Sequence, residues 1–218
     1  MAAPAVPQYL KWSEHPISFD RTDHPDYIPE PGKFPLVVDP LFRTTRLRKV
    51  LMDGGSGVNI LYVKTLDDMK IDRSELKKSG APLHGVVPGR PARPLGKIAL
   101  DVTFGTLDNF RTETLTFEVV DLPGTYHALL GRPCFAKFMA IPNYTYLKLK
   151  MPGPNGIITV HGSFQHSYLC DVESCELAAN QDVVAELEDL KTTMEESEPH
   201  VKKPASSPNQ STQGVEAV

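Results

Sequence analysis

The sequence predicts a mostly β protein, a small barrel or sandwich, and three observations carry that prediction. Between about Phe34 and Gly162, apolar and polar residues alternate with a period of two. Clusters of glycine and proline separate the alternating runs at short intervals. Stripes at helical spacing are few, and they fall between strands or after the last one.

Taken in order, the chain opens with eight prolines in its first forty residues, which excludes a long helix and reads as an extended arm over residues 1–33. FPLVV and KVLMD follow as strands. NILYVKTLDDM sets Ile60, Val63 and Leu66 (or Leu61 and Met69) on one helical face, and Asp72 is placed to cap the short turn DRSELKKS. The stretch APLHGVVPGRPARPLG, with Gly85, Gly89 and Gly96 among four prolines, reads as an extended hairpin or loop. GKIALDVTFG then turns Ile98, Leu100, Val102 and Phe104 to one face, and LTFEVVD does the same with Leu115, Phe117 and Val119. An apolar strand ends at Gly131-Arg132, where Pro133 opens a short helix. YLKLKM sets Leu147, Leu149 and Met151 opposite Lys148 and Lys150, and GIITVHG is the last strand of a body spanning 34–162. Beyond it, residues 163–218 read as an acidic, largely disordered tail, with Val183, Leu187, Leu190 and Met194 forming the stripe of a short helix over 181–194.

Charge narrows the function classes. Residues 151–218 hold three lysines against eleven acids, a net −8, which leaves +4 on the rest and gives the overall −4. A near-neutral body with an acidic tail argues against nucleic acid as the partner, and the cluster Arg43, Arg46, Arg48 and Lys49 reads as a solvated edge. No apolar run approaches the roughly 20 residues of a membrane span, and no secretory leader pattern opens the chain. The odd cysteine count (Cys134, Cys170 and Cys175) points to reduced thiols and a cytoplasmic location. His161, His166, Cys170 and Cys175 match no zinc-finger spacing closely, and no cofactor or metal is expected.

One short stretch carries chemistry. In VLMDGGSGVNILY a buried strand ends in Asp53, and Gly54, Gly55, Ser56 and Gly57 clear the space beyond it. Such an acid is either a turn residue at a strand end or a general acid/base that ligand can approach closely. No other aspartate in the chain is followed by Thr-Gly, Ser-Gly or Gly-Gly.

The order VLMDGGS, NIL, PLGKI, FEVVD and LLGRP resembles the retropepsin-like aspartic protease segment of plant gypsy-type LTR retrotransposon polyproteins, over roughly residues 15–175. That resemblance implies a small closed barrel and hydrolysis of peptide bonds in a polyprotein. The family's chemistry needs two carboxylates about 3 Å apart sharing one proton around a water. With one motif per chain, the second Asp53 must come from a second copy, so a homodimer is implied. By the same resemblance, Asp53 is catalytic and Gly54, Gly55 and Ser56 form the active-site loop. Gly85, Val86, Val87, Pro88 and Gly89 form a flap over a polypeptide substrate, Gly131 and Arg132 support the site, and a reverse transcriptase domain follows in the parent polyprotein. Two departures stand out. Gly54 replaces the Thr or Ser whose hydroxyl bonds across the dimer, unless Ser56 substitutes. Gly57 replaces an acid that pairs with the Gly-Arg arginine, so Arg132 must find another carboxylate or backbone carbonyls. A non-catalytic version of the same module, acting in dimerisation or peptide binding, is the alternative reading.

Overall fold

The computed structural model describes residues 14–80, 82–87 and 90–197. Residues 14–177 belong to one compact unit, and residues 178–218 to a second, described as helical backbone as far as Ser197. The first unit is mostly β, as the alternation predicts. Its strands are β1 (Val37–Val38), β2 (Leu41–Phe42), β3 (Thr45–Arg46), β4 (Val50–Met52), β5 (Asn59–Tyr62), β6 (Leu83–Val87), β7 (Arg90–Ala92), β8 (Gly96–Gly105), β9 (Phe110–Val120), β10 (Ala128–Leu130), β11 (Ile141–Asn143), β12 (Lys148–Gly153) and β13 (Gly156–His161). Helices α1 (Val63–Asp68) and α2 (Arg132–Phe138) complete it with the first part of α3 (Phe164–Ser197), as far as Leu177. Eight strands form one sheet in the order β1-β4-β10-β5-β9-β8-β2-β3, beside a three-stranded sheet β11-β12-β13 and the hairpin β6-β7.

The β8–β9 hairpin is the spine of the large sheet, paired without interruption from Gly96↔Val119 to Gly105↔Phe110. Its inward residues Ile98, Leu100, Val102, Phe104, Leu115, Phe117 and Val119 are all buried, and the polar residues between them face out. At its turn Gly105 has φ +111°, and a Cβ there would stand 2.2 Å from the Asn109 carbonyl oxygen, so only glycine fits. The Phe104 and Phe138 rings meet edge-on at 5.1 Å, fastening α2 to the same core.

Three features differ from the sequence reading. Asn59–Tyr62 is a strand, and the helix begins only at Val63. β5 lies between β10 and β9, with Asn59, Ile60 and Leu61 all buried. A strand covered on both faces shows a continuous apolar run instead of alternation, and here that run merges with the helical stripe behind it. The second difference is α3, which begins at Phe164 and not near 181. Ser163 accepts a hydrogen bond from the His166 N–H at 3.2 Å, Phe164 packs edge-on against Phe34 at 5.2 Å, and Ser167 and Cys170 are fully buried. Docked first turns thus start a helix that propensity alone does not signal. Residues 198–218, expected as disordered tail, lie outside the described residues.

The third difference concerns the arm. The alternation sets Lys148 and Lys150 opposite Leu147, Leu149 and Met151, and Asp23 of the arm covers them there. The Asp23 carboxylate is 2.7 Å from the Lys150 Nζ and 3.7 Å from the Lys148 Nζ, and Lys148 also donates to the Asp23 carbonyl. Lys150 donates to the Ser18 carbonyl at 2.8 Å and lies 5.0 Å over the Phe19 ring. A reciprocal cap between Asp20 and Asp23 shapes the turn Arg21–Asp23 that presents the carboxylate. The bonded Lys150 ammonium holds the Asp23 carboxyl below the usual carboxylate range.

Candidate active site

Strands β4 and β10 run side by side and parallel, with Met52 opposite Leu130. Their chains therefore leave the sheet at the same end, and the residues that follow, Asp53 and Gly131, become neighbours. The Asp53 N–H donates to the Leu130 carbonyl at 2.9 Å. The Asp53 Oδ1 accepts the Gly55 N–H at 2.8 Å and its carbonyl accepts the Ser56 N–H at 3.2 Å, a tight turn held by an aspartate side chain. The chain then crosses the end of β10 and returns as β5 on its other side.

Gly131 lies inside that crossing. A Cβ there would stand 2.3 Å from the Val58 carbonyl oxygen and 2.8 Å from that of Ser56. The Arg132 N–H donates to the Ser56 carbonyl at 2.9 Å. Arg132 Nη1 donates to the Gly55 carbonyl at 2.7 Å, with the Gly54 carbonyl at 3.4 Å. Its guanidinium thus uses backbone oxygens of the Asp53 loop, and it has no carboxylate partner among the described residues. A Cβ on Gly57 would stand 3.2 Å from Arg132 Nη2, where an acidic side chain would have met it. The Ser56 hydroxyl donates to the Val58 carbonyl at 2.8 Å and accepts the Val58 N–H at 3.3 Å, so it is committed within its own loop.

The structure adds two residues that sequence reasoning passed over. Asn59 is buried, with its Oδ1 accepting the Gly131 N–H at 2.9 Å and its Nδ2 donating to the Thr116 carbonyl at 3.0 Å. One amide side chain thus ties the Gly131 loop to β9. A lone polar residue heading the apolar run NILY was the available signal. Tyr144, just past β11, reaches the Asp53 loop from the other sheet, and nothing local in the sequence marks it.

Asp53 is half-buried. With Oδ1 held by Gly55, its other oxygen has no partner among the described residues. It faces an open hollow of about 630 Å³ lined by Pro35, Leu51, Met52, Asp53, Gly54, Gly55 and Tyr144. A carboxylate with one oxygen fixed by a backbone N–H and the other open is oriented to accept a proton or a hydrogen bond from whatever enters. Of the expected flap residues, Gly85, Val86 and Val87 lie on β6, paired with β7 through Val87↔Arg90, while Pro88 and Gly89 lie outside the described residues.

A second groove of about 540 Å³, lined by Thr103, Leu107, Phe110 and Val160 among others, holds one carboxylate, Asp39, which is 3.5 Å from Arg46. Two more members of the basic cluster are paired, Arg43 with Glu75 and Lys49 with Glu173. Among the described residues no three of His, Cys, Asp and Glu gather as metal ligands, and no helix is long and apolar enough to cross a membrane.

The chain is therefore defined by its fold and site as a mostly β protein with one loop-borne carboxylate open to a hollow. No protein-family model and no curated protein matches it. Among solved structures, the retroviral protease-like domain of Ddi1 from Leishmania major aligns with a TM-score of 0.46 and 16% identity, over 60% of this chain and 94% of that one. A retropepsin-like aspartic protease from Rickettsia conorii aligns with a TM-score of 0.36 and 14% identity, over 56% and 79%. Both likenesses are too distant to carry weight beside the chain's own geometry.

Proposed function

We propose that this chain is an aspartic endopeptidase of the retropepsin type, hydrolysing peptide bonds in an extended polypeptide. The observation that carries the reading is Asp53 itself. It is set at a strand end, clamped by a loop that crosses the Gly131-Arg132 turn, and open through one oxygen to a hollow. The chain supplies one such carboxylate, so the reaction takes a homodimer in which two Asp53 residues share a proton, one activating water and the other protonating the leaving amide. The sequence motifs support a retrotransposon polyprotein as substrate, with a reverse transcriptase domain following, and the odd number of cysteines suits a cytoplasmic setting.

Asp53→Asn tests it. The asparagine keeps an oxygen to accept the Gly55 N–H, so the loop and the melting temperature should hold while cleavage of a denatured protein falls at least about 100-fold. Wild-type activity should also fall faster than linearly on dilution. Cleavage that survives Asp53→Asn would place the activity elsewhere.

A second reading, a module that dimerises or binds peptide without cutting it, is favoured by one observation. Gly54 carries no hydroxyl and Ser56 spends its own on Val58, so neither is left to fix two active loops together. Peptide binding without turnover in both the wild type and Asp53→Asn would select it.

A further inference from the structure

The Asp53 hollow is lined in part by a tyrosine from another sheet. Tyr144 follows β11 in the three-stranded sheet, while every other lining residue comes from the β4 region or just before β1. The residue is 38% exposed, and its hydroxyl has no hydrogen bond among the described residues. The hydroxyl stands on the side of Gly54 where a side chain would go: a Cβ there would meet it at 3.5 Å and nothing else within 4 Å. Gly54 does not lie in the left-handed region, so its backbone would accept a side chain. Glycine at that position instead leaves one side of the Tyr144 hydroxyl open to the hollow.

We propose that Tyr144 is a substrate-positioning residue of this site, its hydroxyl donating a hydrogen bond to a main-chain carbonyl of a polypeptide lying beside Asp53, with Gly54 giving that carbonyl room to approach. A phenol hydroxyl suits the task. It has one O–H to donate and stands at the end of a rigid ring, and a main-chain carbonyl can only accept. An extended peptide offers a carbonyl at every residue, and the three-stranded sheet holds the Tyr144 backbone in place: Asn143 pairs with Lys148, and the Asn143 Oδ1 accepts the Tyr146 N–H at 3.0 Å. The proposal rests on polypeptide as the ligand of the hollow, but not on whether that ligand is cut.

The test compares wild type with Tyr144→Phe, Gly54→Ala and the double variant, using fluorescein-labelled denatured casein as probe. Tyr144→Phe keeps the ring and should leave the melting temperature unchanged while KM rises about threefold to tenfold and kcat stays within about twofold, the loss of one neutral hydrogen bond made in the bound state. Gly54→Ala sets a methyl in ordinary contact with the hydroxyl and should raise KM as well. The double variant should fall well short of the product of the two, because both act on one bond. The same four chains carrying Asp53→Asn report binding alone, by anisotropy, and Tyr144→Phe should weaken it by the same factor. Equal KM and equal anisotropy for wild type and Tyr144→Phe would overturn the proposal, as would full multiplicativity with Gly54→Ala. Absence of wild-type cleavage with Tyr144-dependent binding retained would overturn the protease reading and leave this one standing.

Discussion

Removing the Asn59 side chain should loosen the candidate site from behind. In Asn59→Ala, the Gly131 N–H loses its acceptor at 2.9 Å, in a position closed off by the crossing loop. A buried donor left unpaired costs about 1–3 kcal/mol. The Thr116 carbonyl loses its donor at 3.0 Å, but Thr116 is exposed and water can replace the amide, so that bond contributes only about 0.5–1.5 kcal/mol. Together the loss is about 2–4 kcal/mol. At roughly 2–4 °C per kcal/mol for a chain of this length, the melting temperature should fall by about 5–15 °C. Asn59→Asp sharpens the test. It keeps an acceptor for Gly131 but buries a carboxylate facing a carbonyl, so its folded pKa rises above the ordinary 3.9. A group whose pKa is raised on folding has its full stability below the unfolded value and loses it as pH rises through the folded one. Asn59→Asp should therefore sit nearest the wild type at about pH 4 and diverge toward pH 7. Urea unfolding of the three proteins at both values reads this directly. An Asn59→Ala midpoint equivalent to less than about 0.5 kcal/mol, or an Asn59→Asp difference that ignores pH, would refute the view that this amide holds the two loops together.

Other outcomes follow from the same contacts. Gly131→Ala should cost about 1–3 kcal/mol in urea unfolding and abolish any cleavage, since its Cβ cannot coexist with the Val58 and Ser56 carbonyls where they stand. Cys175 is exposed and should be alkylated in the native protein, whereas Cys134, fully buried with its thiol pushed far up by that burial, should react only on unfolding; intact-mass spectrometry counts the labels. His127 is held below its ordinary value chiefly by burial, with Lys49 and Lys64 adding repulsion. Its contribution to stability is present above about pH 6.5 and lost as pH falls through the folded value, so His127→Phe should flatten the urea midpoint between pH 8 and pH 5 relative to wild type.

What the sequence discloses depends on how local the cause is. β8 and β9 are legible because each buries one face and exposes the other, so Ile98 to Phe104 and Leu115 to Val119 alternate in plain view. β5 is hidden because a central strand has no exposed face to mark its period. Asp53 can be read because small residues follow a buried strand directly, all within one turn. Lys148 and Lys150 alternate as solvent residues should, and only a carboxylate more than a hundred positions earlier covers them. Asn59 and Tyr144 act on partners from other elements; Asn59 shows only as a lone polar residue heading an apolar run, and nothing around Tyr144 encodes its place.

The arm's grip on β12 bears on where this unit can be cut from a longer chain. A fragment trimmed at Phe34, the start of the alternating pattern, would keep every strand yet strip Asp23 from Lys148 and Lys150 and leave two facing cations without their anion. The folding unit thus reaches back at least to Ser18, whose carbonyl Lys150 also holds. A scissile bond between the arm and β1 would leave a clipped peptide still seated by its charges and by Phe19. Cleavage there would separate the covalent chain without at once separating the pieces, so the apparent size of the product on a denaturing gel and in free solution would disagree.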